Sequence, residues 1–467
     1  MAEKHDAYGY WLEEAGMPEA QPPLAGEVDA DVVVVGGGYT GMWTAWFVST
    51  LEPEARVAVL EADRCGTGPS GRNGGFVNSM WPSLASLRDR FGAAAAVELA
   101  RASEAEVDGI GAWCEEQGVD AWYRHGGYLQ VSTTPLHDGA WLEACEACAE
   151  LGEPGQCLPQ TSPEVRERCA SPVFRSGAHY PAAATVQPAR LALGLRSSLI
   201  ERGVAVFEQS RARRLRAAPD GAVVETDAGR VRARAVVLAA GGRLAAHRPL
   251  RRRLTVTSSH MVITEPVPDV LDAIGWTGGE CITDSRAMVQ YFRTTPDGRI
   301  AFGWGGGRVV PGARLNGRAE VDVRMAREIE GRVLRLFPAL RGRRIAHAWG
   351  GPIDVSPTHL PVIGTLGRGR RIHYAFGYTG NGVAPTRLAG RALASLLLDR
   401  RDAHSRLALV EPEPVRVPPE PFRYAGGTIV RAALVRRERL EEEGRWPDPL
   451  TRFVAGVPAR IGIHIGR

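Results

Sequence analysis

Lysine is almost missing from this sequence. Lys4 is the only lysine, so 56 of the 57 basic residues are arginine (57 − 1 = 56). A lysine Schiff base and the lysine of a phosphate-binding P-loop are therefore excluded from the body of the chain. The net charge is only +4, which is too small to indicate a nucleic acid or an acidic membrane as a partner.

Cysteine and long apolar runs are also scarce. The 7 cysteines form an odd number in a chain of 467 residues, which predicts a reducing compartment. Cys145 and Cys148 have the spacing of a redox or metal pair, but no second ligand pair follows, so we interpret them as two small half-buried helix residues. No metal site is predicted. No apolar stretch approaches the ~20 residues that span a bilayer, and the first residues lack the pattern of a signal peptide. A cytoplasmic location is expected.

A glycine motif follows a run of valines near the N-terminus. The valines that end at Val35 predict a strand buried on both faces, and the residues from Met42 predict a helix. Between them, Gly36-x-Gly38-x-x-Gly41 permits a tight turn, close approach of the backbone to a pyrophosphate, and packing of the helix on the sheet. The positive end of the helix dipole then faces the phosphates. The segment predicts a dinucleotide-binding site.

A second strand supports this interpretation. Arg56–Glu61 ends in an acid 25 residues after Gly36 (61 − 36 = 25), close to the ~20-residue offset of a carboxylate that accepts the ribose hydroxyls. The alternative is an ordinary βαβ unit with an incidental glutamate. The spacing alone leaves NAD and FAD open.

Four motifs together resemble one known family, the FAD-dependent D-amino-acid-oxidase superfamily. The similarity is greatest to its branch of glycine oxidase, sarcosine oxidase and γ-glutamylputrescine oxidoreductase-like enzymes. The motifs span residues 31 to about 400 in the family's order. They are Val35–Gly41, Leu60–Ala62, Gly68–Gly75 and a late block with Trp349–Pro352, Leu360–Gly364 and Gly377–Gly382.

The resemblance implies an α/β fold, with a Rossmann-type FAD-binding domain interleaved with an antiparallel-sheet α+β substrate domain. We predict the FAD-binding domain over 28–82, 183–250 and 343–405, and the substrate domain over 83–182 and 251–342. Residues 406–467 are predicted to be a C-terminal extension, with a basic amphipathic helix over 427–444. This helix is expected to pack on the body of the protein; a dimer contact or a membrane contact is the alternative.

The resemblance also implies a set of FAD-binding residues. Glu61 would accept the ribose hydroxyls, and the amides of the last helix would face the flavin pyrimidine ring. A cysteine for covalent attachment is missing between Ala346 and Pro352, and Arg72 lies where relatives with histidyl-linked flavin have the histidine, so the FAD is predicted to be non-covalent. The predicted cofactor-binding residues are Gly36, Gly38, Tyr39, Thr40, Gly41, Glu61, Ala62, Ser70, Arg72, Asn73, Gly74, Gly75, Ala212, Ala240, Gly241, Gly377, Gly380, Asn381, Gly382 and Val383.

The reaction implied by the family is hydride transfer from a carbon that bears an amine to flavin N5, which gives an imine. Oxygen or a carrier would take the electrons. Because Ala301 stands where sarcosine oxidases have a lysine for oxygen activation, both an oxidase and a dehydrogenase remain open.

Five residues are candidates for contact with a small amine or amino-acid substrate: Tyr291, Arg293, His347, Trp304 and Asn78. Tyr291 and Arg293 should point away from Phe292 on one strand, and Arg293 could clamp a carboxylate. A structural salt bridge, core aromatics and a structural histidine are the alternatives for Arg293, Trp304 and His347.

Two other functional classes are the alternatives to an amine-oxidising enzyme. An FAD monooxygenase or halogenase has the same first motif, but the Gly-Asp motif before the last helix and a second glycine motif for NADPH are absent. A non-enzymatic flavoprotein subunit is supported only by the tail after Pro412. An oligomer is compatible with the sequence.

Overall fold

Nineteen strands and fourteen α-helices form among the residues that the computed structural model describes, which are 2, 4–5, 8–218, 221–313, 315, 320–367 and 369–464. The strands are β1 (Lys4–His5), β2 (Gly26–Val35), β3 (Val57–Leu60), β4 (Phe76–Asn78), β5 (Tyr128–Val131), β6 (Leu158–Gln160), β7 (Gly177–Tyr180), β8 (Ala183–Thr185), β9 (Ala205–Phe207), β10 (Arg214–Ala218), β11 (Gly221–Glu225), β12 (Gly229–Leu238), β13 (Thr255–Thr264), β14 (Cys281–Asp284), β15 (Gln290–Thr294), β16 (Ile300–Trp304), β17 (Ile345–Val355), β18 (Val362–Leu366) and β19 (Ile372–Phe376). The helices are α1 (Gly9–Ala15), α2 (Tyr39–Leu51), α3 (Pro69–Arg72), α4 (Leu84–Phe91), α5 (Ala93–Glu116), α6 (Leu142–Glu150), α7 (Ser162–Arg168), α8 (Pro188–Glu201), α9 (Pro268–Ala273), α10 (Val323–Leu336), α11 (Val383–Leu397), α12 (Phe422–Glu442), α13 (Pro449–Ala455) and α14 (Val457–Arg460).

The first sheet has eight strands and is mostly parallel at its centre. Its order is β10-β11-β12-β2-β3-β9, with β19 also paired to β12 and β18 to β19. On β2, Val32 and Val34 join one hydrophobic cluster and Val33 joins another, so the valine run is buried on both faces. The predicted strand–glycine–helix unit and the predicted Rossmann-type sheet are confirmed.

The second sheet has nine strands in the order β1-β17-β13-β16-β15-β14-β5-β7-β6. β15 and β16 form a hairpin: they pair antiparallel across a turn in which Gly298 adopts φ +78°. The chain thus combines a mostly parallel, Rossmann-type sheet with a largely antiparallel one, which confirms the predicted α/β fold class. The domain boundaries stay a prediction, which places 343–405 in the FAD-binding domain. Within that range, β17 pairs with β13 in the second sheet.

The cysteines differ from the expectation. Cys145 forms a disulfide with Cys157, whereas Cys148 is buried and free. Cys145 and Cys148 both lie on a helix, α6, as interpreted from the sequence, but they are buried and not half-buried. The disulfide is at odds with the predicted reducing compartment, because disulfides are rare in the cytosol. Within the described residues, no helix is long and apolar enough to cross a membrane.

Candidate active site

A cavity of about 990 Å³ lies where the two sheets meet. Its walls come from the glycine turn after β2, the end of β3, the α3 loop and the start of α11, and from β13, β15, β17 and α12 of the opposite side. Segments distant in the sequence therefore enclose one continuous space.

The glycine turn forms one part of the cavity. Gly36 has φ +119°, and a Cβ there would lie 2.5 Å from the Ala239 carbonyl oxygen. A Cβ on Gly41 would lie 2.0 Å from the Gly36 oxygen. Only glycine at position 41 therefore lets the first turn of α2 pack this closely against the glycine turn. The N-cap residue of α2 is Gly38, which has no side chain that could accept from the first amides of the helix. Apart from the Tyr39 amide, which donates to Ser70 Oγ, the first turn of α2 thus offers backbone N–H groups and a positive dipole end to an anion.

Glu61 follows β3 at one end of the cavity. Its Oε2 accepts from the Gly37 amide at 2.8 Å and its Oε1 accepts from the Asp63 amide at 2.9 Å. Burial raises the pKa of this carboxyl, against those amide bonds. The two bonds fix the carboxyl group and leave acceptor capacity on both oxygens for neighbouring hydroxyls.

The α3 loop places polar side chains along the middle of the cavity. Ser70 Oγ accepts from the Tyr39 amide at 2.8 Å, and Asn73 Oδ1 accepts from the Gly75 amide at 2.7 Å. The Arg72 side chain is 8% exposed, with Nη1 3.4 Å from Glu320 Oε1. Burial lowers the pKa of Arg72, and Glu320 opposes that shift.

The start of α11 forms the other end. Asn381 Oδ1 is buried and accepts no hydrogen bond from the described residues, and the α11 cap, Gly382, makes no side-chain bond. Asp354 Oδ2 accepts from the Gly377 amide at 2.6 Å, and burial raises the pKa of this carboxyl to about 6. Thr40 Oγ1 donates to Tyr378 Oη at 2.8 Å, which ties α2 to the α11 loop.

These features fit FAD. The glycine turn is a cradle that added Cβ atoms would fill, Glu61 suits a ribose, and the unpaired Asn381 oxygen suits a donor group of a flavin ring. Among the predicted cofactor residues, those that line the cavity are Gly36, Gly38, Tyr39, Thr40, Glu61, Ala62, Ser70, Arg72, Asn73, Gly74, Ala212, Ala240, Gly241, Gly380, Asn381, Gly382 and Val383.

Three predicted cofactor residues, Gly41, Gly75 and Gly377, lie outside the lining. Gly75 and Gly377 have φ +73° and +86°, and a Cβ would lie 2.1 Å from the Val186 oxygen and 2.7 Å from Ser356 Cβ respectively. These glycines are required by the path of the backbone.

Tyr291 alone among the five predicted substrate residues lines the cavity. Its hydroxyl shares a hydrogen bond of 2.8 Å with Ser259 Oγ, and its ring meets Phe76 edge to face. Burial raises the pKa of Tyr291 to about 12, so the hydroxyl keeps its proton at neutral pH.

The position of Arg293 contradicts the predicted carboxylate clamp. The residue is 1% exposed. Its Nη1 donates to the Val186 carbonyl and its Nε donates to the Thr294 carbonyl, while its guanidinium lies 5.6 Å from the Trp11 ring centroid. Burial lowers the pKa of Arg293 to about 10. Arg293 does point away from Phe292, as the strand alternation predicts, but it braces the backbone behind the cavity.

The other three candidates also lie outside the cavity lining. Trp304 is fully buried in the core beside Phe302, as the core-aromatic alternative holds. Asn78 is 2% exposed and accepts from Cys281 Sγ at 3.6 Å. His347 lies on β17 with its ring 5.3 Å from that of Tyr10.

Sequence reasoning missed two groups of lining residues besides Asp354 and Tyr378. On β13, alternate residues face the cavity; these are Thr255, Thr257, Ser259 and Met261. Their period of two is a signal that could have found them. One face of α12 also lines the cavity, through Gly427, Val430, Arg431 and Leu434.

Comparison with known proteins agrees with this geometry. The family model described as "DAO: FAD dependent oxidoreductase" matches residues 31–396. The chain is 29% identical over 392 residues to gamma-glutamylputrescine oxidoreductase of Escherichia coli (strain K12), covering 81% of this chain and 87% of the relative. It is 27% identical over 447 residues to a probable oxidoreductase, OrdL, of Rhizobium meliloti (strain 1021), covering 91% and 95%. In fold, it matches glycine oxidase from Geobacillus kaustophilus with a TM-score of 0.69 and 21% identity, over 83% of this chain and 100% of that one.

Proposed function

Because this chain belongs to the DAO family of FAD-dependent oxidoreductases, we propose that it oxidises the C–N bond of a small amine or amino acid to an imine at the cavity described above. It is an enzyme, and FAD is its cofactor. The activities in its relatives' names, gamma-glutamylputrescine oxidoreductase and glycine oxidase, support an amine or an amino acid as the substrate.

The lining residues divide between the parts of the cofactor. Glu61 would hold the adenosine ribose, and the amides of the glycine turn with the α2 dipole would hold the pyrophosphate. Arg72, Asn381 and the amides at the start of α11 would contact the flavin. No cysteine is among the described residues that line the cavity, which supports non-covalent binding.

FAD, when bound, supplies a two-electron acceptor for the substrate carbon. The chain's task is to hold a neutral amine at the distance and in the orientation from the flavin that the transfer requires. Tyr291 and Ser259 share a hydrogen bond at the cavity wall, so either hydroxyl can orient the amine. Since Tyr291 keeps its proton at neutral pH, it orients the substrate and does not act as a base.

The scarcity of lysine bears on the identity of the electron acceptor. Lys4 is the only lysine and is not in the cavity lining, so a cationic lysine cannot assist oxygen beside the flavin. We therefore include a carrier alongside oxygen as acceptor. A cytoplasmic location and an oligomeric state stay predictions.

One observation carries the proposal: a single cavity reaches from Glu61 to Tyr291 across both sheets. The test is anaerobic bleaching of the purified yellow holoenzyme against a panel of amines and amino acids, followed by reoxidation with air or a quinone. We expect bleaching by a subset of amines. Reduction by NADPH with no response to any amine would favour the monooxygenase alternative and overturn the proposal.

A further inference from the structure

Helix α12, in the C-terminal extension, forms part of the cavity wall, although the family match ends at residue 396. Its lining residues Gly427, Val430, Arg431 and Leu434 recur at helical spacing and therefore share one face. A Cβ on Gly427 would lie 3.2 Å from Val309 Cγ2. The helix thus lies directly against the loop that follows β16.

Both ends of α12 are fastened to the body of the protein. At its start, Arg423 Nη1 donates to the carbonyls of Arg251 at 2.7 Å and Leu254 at 3.0 Å. Near its end, Glu438 Oε1 accepts from the Met288 amide at 2.6 Å, and Glu442 pairs with Arg335 at 2.5 Å. The face that lines the cavity is therefore held in a fixed position.

Arg431 is oriented by two backbone carbonyls of the neighbouring loop. Its Nε donates to the Gly307 carbonyl at 2.6 Å and its Nη2 donates to the Gly306 carbonyl at 2.6 Å. This uses one edge of the guanidinium fork. The N–H groups on the other edge, at Nη1 and Nη2, have no further partner among the described residues, and they have the geometry that binds a carboxylate through two parallel hydrogen bonds.

The charges around Arg431 are already paired with one another. Arg308 pairs with Asp322 at 2.7 Å, and Arg332 pairs with Glu328 at 2.9 Å. No carboxylate of the described residues lies within ion-pair distance of Arg431. Burial and Arg308 lower the pKa of Arg431, and the more distant carboxylates of Glu328 and Asp322 oppose that shift. A bound anion would supply the direct ion pair that these more distant carboxylates do not form with Arg431.

We infer that Arg431 binds a carboxylate of the substrate, and that α12 is therefore part of the substrate site. The preferred substrate is then an amine that also bears a carboxylate. This inference rests on the proposed function and assigns to Arg431 the role that Arg293 cannot fill.

The test compares Arg431→Ala and Arg431→Lys with Arg439→Ala, a control on the same helix whose side chain is 81% exposed. The first readout is binding of propionate to the oxidised holoenzyme, followed by the change in flavin absorbance, with propionamide as the uncharged probe. We expect the Kd of propionate to rise at least tenfold in Arg431→Ala and less in Arg431→Lys. Arg439→Ala should match the wild type, and propionamide should bind equally to all four proteins.

The second readout uses two reductants of the flavin, one with and one without a carboxylate. In Arg431→Ala, KM for the carboxylate-bearing amine should rise at least tenfold with kcat within about threefold, while both constants for the other amine stay unchanged. A merely structural role would affect both reductants and both ligands alike. An unchanged Kd for propionate, or equal losses for both amines, would overturn the inference.

The two proposals fail differently. If no amine reduces the wild-type flavin, the proposed function fails while propionate binding still reports on Arg431. If amines without a carboxylate reduce the wild type as well as those with one, the inference fails and the proposed function stands. Should Arg431→Ala not fold, Arg431→Lys and Arg431→Gln provide the same comparison.

Discussion

In this lysine-poor chain, buried arginines supply the cationic hydrogen-bond donors of the interior. Arg196 binds both carboxylate oxygens of the buried Glu208, at 2.8 and 2.9 Å, and Arg293 crosslinks backbone carbonyls behind the cavity. A planar guanidinium can satisfy several acceptors in one fixed geometry, whereas an ammonium cannot. The same property lets Arg431 hold two carbonyls and still offer an edge to a ligand.

The first prediction concerns the hydroxyl of Tyr291 and its role in orienting the substrate. Tyr291→Phe removes the hydrogen bond to Ser259 and the cavity's fixed hydroxyl, so we expect kcat/KM for the best amine to fall about tenfold. The FAD content should not change. Tyr424→Phe is the control, because Tyr424 is 41% exposed on α12 and outside the cavity lining. Equal kcat/KM in Tyr291→Phe and the wild type would contradict the assigned role.

Asp354 gives a prediction about pH. Burial raises the pKa of its carboxyl from 3.8 to about 6, so between these values the folded protein binds more protons than the unfolded chain. The free energy of unfolding contributed by this group is therefore present below the unfolded pKa and is lost as pH rises through the folded pKa.

The Asp354→Asn variant serves as the reference, because its side chain at position 354 cannot titrate. In urea unfolding of the apoprotein, we expect the wild type to lose stability relative to Asp354→Asn as pH rises from about 4 to about 6. A difference that does not change across this range would show that Asp354 is not responsible.

At the scale of elements, close contacts between glycines and neighbouring elements hold the cofactor half together. A Cβ on Gly41 would meet the Gly36 oxygen at 2.0 Å, and a Cβ on Gly390 of α11 would meet Trp43 Cβ of α2 at 2.7 Å. The start of α2 and the contact between α2 and α11 are therefore set by the absence of side chains. Both helices begin at the cavity, so their packing sets the distance between the two dipole ends.

Gly41→Ala should therefore be strongly destabilising. We expect a loss of about 2 kcal/mol or more in the free energy of unfolding, together with weaker FAD binding. Gly331→Ala is the matched control on α10, where a Cβ would meet nothing within 4 Å; there alanine should stabilise by up to about 1 kcal/mol, because it lowers the entropy of the unfolded chain. Thermal unfolding of the apoproteins and FAD titration separate the two effects. Equal stability of the two variants would contradict the steric argument.

At the scale of the whole molecule, the cavity joins segments from residue 35 to residue 464. A ligand that contacts these segments binds only the folded chain and stabilises it by mass action. FAD binding is therefore coupled to the stability of both sheets.

Removal of FAD should lower Tm by several degrees, and FAD at about 100 times its Kd should restore about 2.7 kcal/mol. FMN should restore much less, because it lacks the adenosine that the Glu61 end of the cavity would hold. Differential scanning fluorimetry of the apoprotein with each flavin measures this. Equal rescue by FMN would contradict the assignment of Glu61 to the ribose.

The local motifs could be predicted from the sequence because neighbouring residues determine them. The valines of β2, the turn at Gly36 and the start of α2 lie within one short segment, and the Pro296-Asp297-Gly298 turn forms the hairpin wherever its strands pack. Their backbone conformations depend on residue types a few positions apart. For this reason the Rossmann-type sheet follows from the sequence, and so do most of the predicted cofactor residues that line the cavity.

Only the tertiary structure decided which of the candidate side chains line the cavity. Arg293 and Arg431 are equally plausible carboxylate ligands as sequence letters, yet one lies behind the cavity and the other lines it. The buried state of Asp354 likewise depends on the loop at Gly377, which comes from a later strand. Whether a side chain faces a cavity is set by elements remote in the sequence that pack around it, and no local pattern records that packing.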